Sequence, residues 1–135
     1  MPLPSEVMEL LSKPMVTKVI ATISPDGIPH AINVASITPV SPETIGLAEI
    51  FMKKTHENLK YALEKKSKVA IVVVEKMKSY QVICEVAGYE TSGPIFSKFD
   101  ESLSKMGLKP KGVWLLKVLE VFDQSPGPNA GKKIS

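Results

Sequence analysis

Residues 17–51, TKVIATISPDGIPHAINVASITPVSPETIGLAEIF, decide the fold. The apolar, β-branched run 17–24 reads as a strand, Pro25-Asp26-Gly27 as a tight turn, and residues 28–37 as a returning strand. Thr38-Pro39-Val40-Ser41-Pro42 reads as a loop and 44–51 as a third strand. Three successive strands with no crossover helix predict antiparallel pairing and exclude a doubly wound parallel sheet.

Outward from that stretch, Ser5 caps a short helix over 5–12 with an apolar stripe of Val7, Met8, Leu10 and Leu11. Thr55 opens a helix over 56–65 whose buried side is marked by Leu59, Ala62 and Leu63. Residues 68–75 are a continuous β-branched run, a strand covered on both faces. Residues 79–90 alternate, with Tyr80, Val82, Cys84 and Val86 on one face. Pro94 starts a helix of about 94–106 with a stripe of Phe96, Phe99, Leu103 and Met106, and 112–122 is the last strand. The tail 124–135 reads as irregular. Six strands with small helices predict a closed or nearly closed barrel, which removes exposed edges.

The chain of 135 residues is the size of one domain, read as 1–135, and 44% hydrophobic residues with 23% charged is globular composition. Cys84 is the only cysteine, so no intrachain disulfide forms. The N-terminus lacks a basic segment followed by an apolar one, and no apolar run approaches the length of a membrane span. These features make a cytoplasmic location the expectation. All 17 basic residues are lysine. Six of them (53, 54, 60, 65, 66, 68) face only Glu57 and Glu64 within 53–68, giving that segment +4 out of a total of +3 and leaving −1 on the rest. Without arginine and with 6% aromatic residues, a nucleic-acid binder is disfavoured.

The chemistry-bearing stretch is Ile50-Phe51-Met52-Lys53-Lys54-Thr55-His56-Glu57-Asn58-Leu59. A strand ends in two lysines and Thr55 sits at a helix start, where unpaired N–H groups and the helix dipole favour an anion. Ammonium groups and the Thr55 hydroxyl add charge and directed donors for a phosphate, and Asn58 is in reach to support them. The same junction also fits a plain N-cap with solvated lysines. His30 and His56 have no second ligand at metal spacing, so no metal site is expected, and no nucleophile–base set or acid–base carboxylate pair can be argued. Cys84 reads as a small core residue and Trp114 as core or dimer packing.

The patterns ATISPDGIPHAINVASI (21–37), LAEIFMKKTHENL (47–59), KVAIVVV (68–74), SYQV (79–82) and TSGPIF (91–96), in this order, resemble the FMN-binding split β-barrel family, which includes pyridoxamine 5′-phosphate oxidase and the small FMN-binding proteins. The likeness runs over roughly residues 6 to 123. It implies a mostly β fold, a six-stranded antiparallel Greek-key split barrel, forming a homodimer with FMN at the subunit interface. It implies that Lys54 and Thr55 bind the FMN phosphate with Lys53 and Asn58 in support. It places Asn33, Val34, Ala35 and Ser36 along the isoalloxazine, opposite Ile50, Phe51 and Met52, with Gln81 reaching the partner subunit's flavin. The activity implied is that of a flavin-dependent oxidoreductase or electron-transfer protein with an unidentified small-molecule or protein electron partner and no catalytic side chain. A flavin-storing or sensing module without turnover, and the same barrel holding a deazaflavin or haem, are the alternatives. The chain departs from the family in lacking the common phosphate-binding arginine, in having Ile83, Cys84 and Glu85 where a glycine is common, and in lacking the oxidase's C-terminal extension. Pyridoxamine 5′-phosphate oxidase activity itself is therefore not expected.

Overall fold

A computed structural model describes residues 2–135. Its first hairpin follows from its turn chemistry. Gly27 takes φ +82°, which costs a residue without Cβ little, and its N–H donates to the Ser24 carbonyl at 2.9 Å. Strand β1 (Thr17–Ile23) thereby returns as β2 (Pro29–Asn33), with Val19 opposite Asn33 and Ala21 opposite Ala31. The period-2 pattern sends Lys18, Ile20 and Thr22 into the core and Val19 and Ala21 outward.

The remaining elements are α1 (Ser5–Ser12), β3 (Ile37–Ser41), β4 (Thr44–Glu49), α2 (Lys54–Lys65), β5 (Lys68–Glu75), β6 (Lys78–Glu90), α3 (Pro94–Ser104), β7 (Gly112–Asp123) and β8 (Lys132–Lys133). All strand pairings are antiparallel. The sheet order is β2-β1-β5-β6-β7-β4-β3, with β8 beside β7. The mostly β, antiparallel expectation holds.

The strand count and the closure differ from the sequence reading. Eight strands form one sheet that does not close, with β2 and β3 at its ends. The segment 38–42, read as a loop for its two prolines, contains most of β3. Pro39 is tolerated there because an edge strand has no neighbour demanding its missing N–H. The strand expected over 28–37 stops at Asn33 because residues 34–36 cross between the two sheet ends. Val34 N–H donates to the Lys18 carbonyl of β1 at 2.8 Å, and the Ser36 carbonyl accepts from Ala48 N–H of β4 at 3.2 Å. Three residues thus bridge the split. The tail read as irregular returns at Lys132–Lys133 to pair with Phe122 and Asp123.

One apolar core fills the inside of the sheet. It takes Ile20, Ile71, Val82 and Leu116 from the strands, Val7 and Leu11 from α1, and Leu59 from α2. A smaller cluster of Ala48, Leu103 and Val113 lies under α3. Gly46 lets the Phe99 ring pack close there, since a Cβ would sit 2.6 Å from that ring and force it to shift. No helix among the described residues is long and apolar enough to cross a membrane.

Candidate functional site

Strand β4 ends at Glu49, and the chain runs through Ile50, Phe51, Met52 and Lys53 into α2. No side chain caps this helix. Lys53, at the N-cap position, has φ −110° and ψ −59° and makes no cap bond. The first-turn N–H groups keep their partial positive charge without a side-chain acceptor. Lys54 Nζ lies 3.9 Å from Glu57 Oε2, an exposed pair of little strength. Lys54 also helps hold the Asp26 carboxyl below its ordinary range, behind the larger effects of the Ser24 hydroxyl and a backbone N–H. The hairpin turn and the start of α2 are therefore neighbours.

Thr55 and Asn58 face the other way. Both are buried, on the stripe that continues to Leu59 and Ala62. Asn58 Nδ2 donates to Thr22 Oγ1 of β1 at 3.0 Å, and its buried Oδ1 has no partner among the described residues. The three- and four-residue spacing from Leu59 back to Thr55 already carried this signal in the sequence.

Of the residues read as isoalloxazine-lining, five fall into two hollows, and Val34 packs against the core instead. Ala35 and Ser36, on the bridge, line a cavity of about 330 Å³ between that bridge, β3 and α3. Ser36 Oγ donates to the Ala48 carbonyl at 2.7 Å, which seats the bridge against β4. Ile50, Phe51, Met52 and Lys53 line an open groove of about 660 Å³ with Glu49, His56, Tyr89 and Lys111. Phe51 is 89% exposed. Asn33 and Gln81 are not brought to either hollow. They lie in one row across the outer face of the sheet through Val19 and Val72. Three strand spacings, about 14 Å, separate them.

Two features escaped the sequence reading. Lys18 lines the first cavity, is 1% exposed, and donates to the Ile37 carbonyl at 2.8 Å. Burial pushes its ammonium below the usual lysine range. A lysine at an inward position of the alternation Lys18-Ile20-Thr22 was the available signal. The second feature is a buried carboxylate. Glu49 is 3% exposed, and its Oε1 accepts from Trp114 Nε1 at 2.9 Å and bonds to His56 Nδ1 at 2.7 Å. Tyr89 packs on Trp114 with centroids 4.4 Å apart and covers the bare Cα of Gly112, where any Cβ would strike its ring. Burial first, and the Glu49 charge next, push the Tyr89 phenol above its usual range. Glu49 and His56 are seven positions apart and Trp114 is 65 from Glu49, so no local spacing announced the cluster.

No protein-family model matches the chain. A curated relative, the uncharacterised protein MJ0282 of Methanocaldococcus jannaschii, is 35% identical over 122 residues, covering 86% of this chain and 78% of its own length. Among solved structures, HupZ of Group A Streptococcus superposes with a TM-score of 0.78 at 21% identity, covering 96% of this chain and 99% of its own. An FMN-binding protein of Syntrophomonas wolfei superposes with a TM-score of 0.77 at 16% identity, over 90% of this chain and 88% of its own. A Clostridium acetobutylicum protein related to general stress protein 26, of the pyridoxinephosphate oxidase family, reaches 0.63 at 13% identity, over 96% and 89%. The chain belongs to one family with MJ0282, and its fold is the split β-barrel of the pyridoxamine 5′-phosphate oxidase-like proteins.

In this split barrel the bridge 34–36 is joined to β4 by the two Ser36–Ala48 bonds, and β4 leads through residues 50–53 into α2. Across the sheet's outside, Val19, Ala21, Ala70, Val72, Ile83 and Phe122 make an apolar face that is only half-buried.

Proposed function

We propose that this split barrel binds FMN and serves as a homodimeric flavoprotein in electron or hydride transfer. The observation that carries the reading is the start of α2, an uncapped helix N-terminus flanked by Lys53 and Lys54. Free N–H groups and two ammonium groups suit a dianionic phosphate, with lysine acting as a point charge in place of arginine. Thr55 and Asn58, buried on the other side, serve to seat this helix end against β1 through the Asn58–Thr22 bond, so the phosphate is left to the lysines and the N–H groups. Ile50, Phe51 and Met52 line the groove beside these lysines and would cover a flat ring there, while Ala35 and Ser36 line the separate hollow beside α3. Bound there, FMN supplies reversible one- and two-electron chemistry. The chain's part is to hold the phosphate, exclude water from the ring and present donors to it.

The half-buried apolar face supports the dimer. A second copy laid on it by a twofold axis would cover Val72 and Ile83 and carry Gln81 toward the partner's cofactor. The likeness to an FMN-binding protein and to the pyridoxinephosphate oxidase family supports the choice of cofactor.

The test is to purify the chain, record its spectrum and titrate FMN. K53A/K54A removes two charge-assisted contacts of ~1.5 kcal/mol each, so affinity should fall on the order of 10²-fold. Wild-type affinity in that variant refutes the phosphate site. A deazaflavin or haem spectrum refutes FMN and leaves the barrel. Absence of NAD(P)H oxidation with every acceptor tried favours a non-enzymatic module.

A further inference from the structure

Glu49 is a charge taken out of water, which is costly unless its oxygens are bonded. Both of its side-chain donors converge on Oε1, the Trp114 indole N–H and His56 Nδ1. An ionised carboxylate only accepts, so Nδ1 carries the hydrogen and Nε2 is left as the ring's open nitrogen, a base when neutral and an acid when protonated. The ring is clamped edge-on by Trp114, with centroids 5.6 Å apart at 67°, and by Tyr89, 5.9 Å apart at 83°. The His56 side chain is nevertheless 37% exposed and lines the groove beside Met52. Lys111 is drawn to the same rim because its backbone N–H donates to the Glu49 carbonyl at 2.8 Å. A carboxylate–imidazole pair fixed from behind and open in front is the arrangement of a general acid–base.

We propose that His56 is a proton-transfer residue, and Glu49 its positioning residue, for an acceptor of the quinone class reduced in this groove. The inference rests on the flavin reading, which supplies the reductant. Hydride from the reduced flavin brings the quinone two electrons and one proton. The second proton passes from His56 Nε2 to the quinone oxygen that has gained the negative charge, yielding the hydroquinone. The imidazole is left neutral with its Nδ1–H still on Glu49, and refills from water at its exposed edge. Lys111 on the groove wall stabilises the oxygen while it is charged, and Tyr89 and Met52 offer the quinone flat and apolar contacts.

The experiment uses the full-length FMN-loaded chain, photoreduced without oxygen and mixed with menadione or with ferricyanide, which takes one electron and no proton. General acid catalysis is worth ~10²-fold or more, so H56Q should lower the menadione-to-ferricyanide rate ratio by about 10². E49Q keeps an acceptor for Trp114 but loses the charge, and should lower the ratio by roughly tenfold. The imidazole limb of the menadione pH profile should vanish in H56Q. The other groups on the groove, Glu49, Glu57, Lys53, Lys111 and Tyr89, remain and set what pH dependence is left. A purely structural His56 would move both acceptors together, and an unchanged ratio overturns the inference while leaving FMN binding intact. Nitrogen-15 NMR of the cofactor-free chain gives a second readout. His56 should be the Nδ1–H tautomer, and E49Q should mix the two forms. A chain that takes up no FMN refutes the flavin reading; the tautomer then still decides the pair, because a predominant Nε2–H ring overturns it.

Discussion

Replacing Trp114 by Phe strikes the contact that holds the buried carboxylate. Trp114 is 2% exposed, and its indole N–H is 2.9 Å from Glu49 Oε1. A hydrogen bond to a charged group contributes ~1.5–3 kcal/mol when its acceptor cannot return to water. The smaller ring forfeits roughly 1 kcal/mol more in packing. W114F should therefore lose ~2.5–4 kcal/mol. With an unfolding entropy of ~2.1 cal/mol/K per residue over this chain, that is ~9–14 °C in Tm. The assay is urea and thermal unfolding followed by far-UV circular dichroism, since Trp114 is the only tryptophan. One protein concentration is kept throughout, because association shifts the transition. A double-mutant cycle with E49Q isolates the charge. Against a neutral amide the bond contributes only ~0.5–1.5 kcal/mol, so W114F should cost about 1 kcal/mol less in that background. A W114F loss under 1 kcal/mol, or the same loss in both backgrounds, refutes the buried-carboxylate account.

Two further outcomes follow from the buried groups. Burial holds Lys18 below the usual 10.5, so as pH rises the folded chain releases this proton before the unfolded chain does. Between the two pKa values the unfolded state binds more protons, and Lys18 adds stability as pH climbs through that window. K18M should flatten this rise in an alkaline unfolding series, and an equal slope in both proteins contradicts the assignment. Cys84 is fully buried, and desolvation pushes its thiol up to about 12. A thiol reagent at pH 8 should react only as fast as the chain unfolds, with fast reaction in the native state as the contrary result.

The sequence went furthest where the evidence was local. Pro25-Asp26-Gly27 demanded a turn, the alternation of 79–90 demanded a strand with Val82 and Cys84 inside, and Pro94 demanded a helix start. All three appear in the structure. The same local reasoning placed Lys53 and Lys54 at a helix N-terminus. It failed at 38–42, where proline counts against a strand unless the strand is known to be an edge. It also failed at Lys132–Lys133, whose pairing is made by a partner strand and not by its own residues.

What the chain alone determined was its class: antiparallel, mostly β, with a basic helix start between two apolar strands. Periodicity and turn chemistry act over a few residues and need no knowledge of neighbours. Only the tertiary structure decided that residues 34–36 span an open seam and that Glu49, His56 and Trp114 meet at one oxygen. That last meeting joins β4 to β7, neighbours in the sheet, and brings α2 to them through His56. A carboxylate stripped of water is held by whatever donors folding brings to it, and linear spacing carries no record of which those will be.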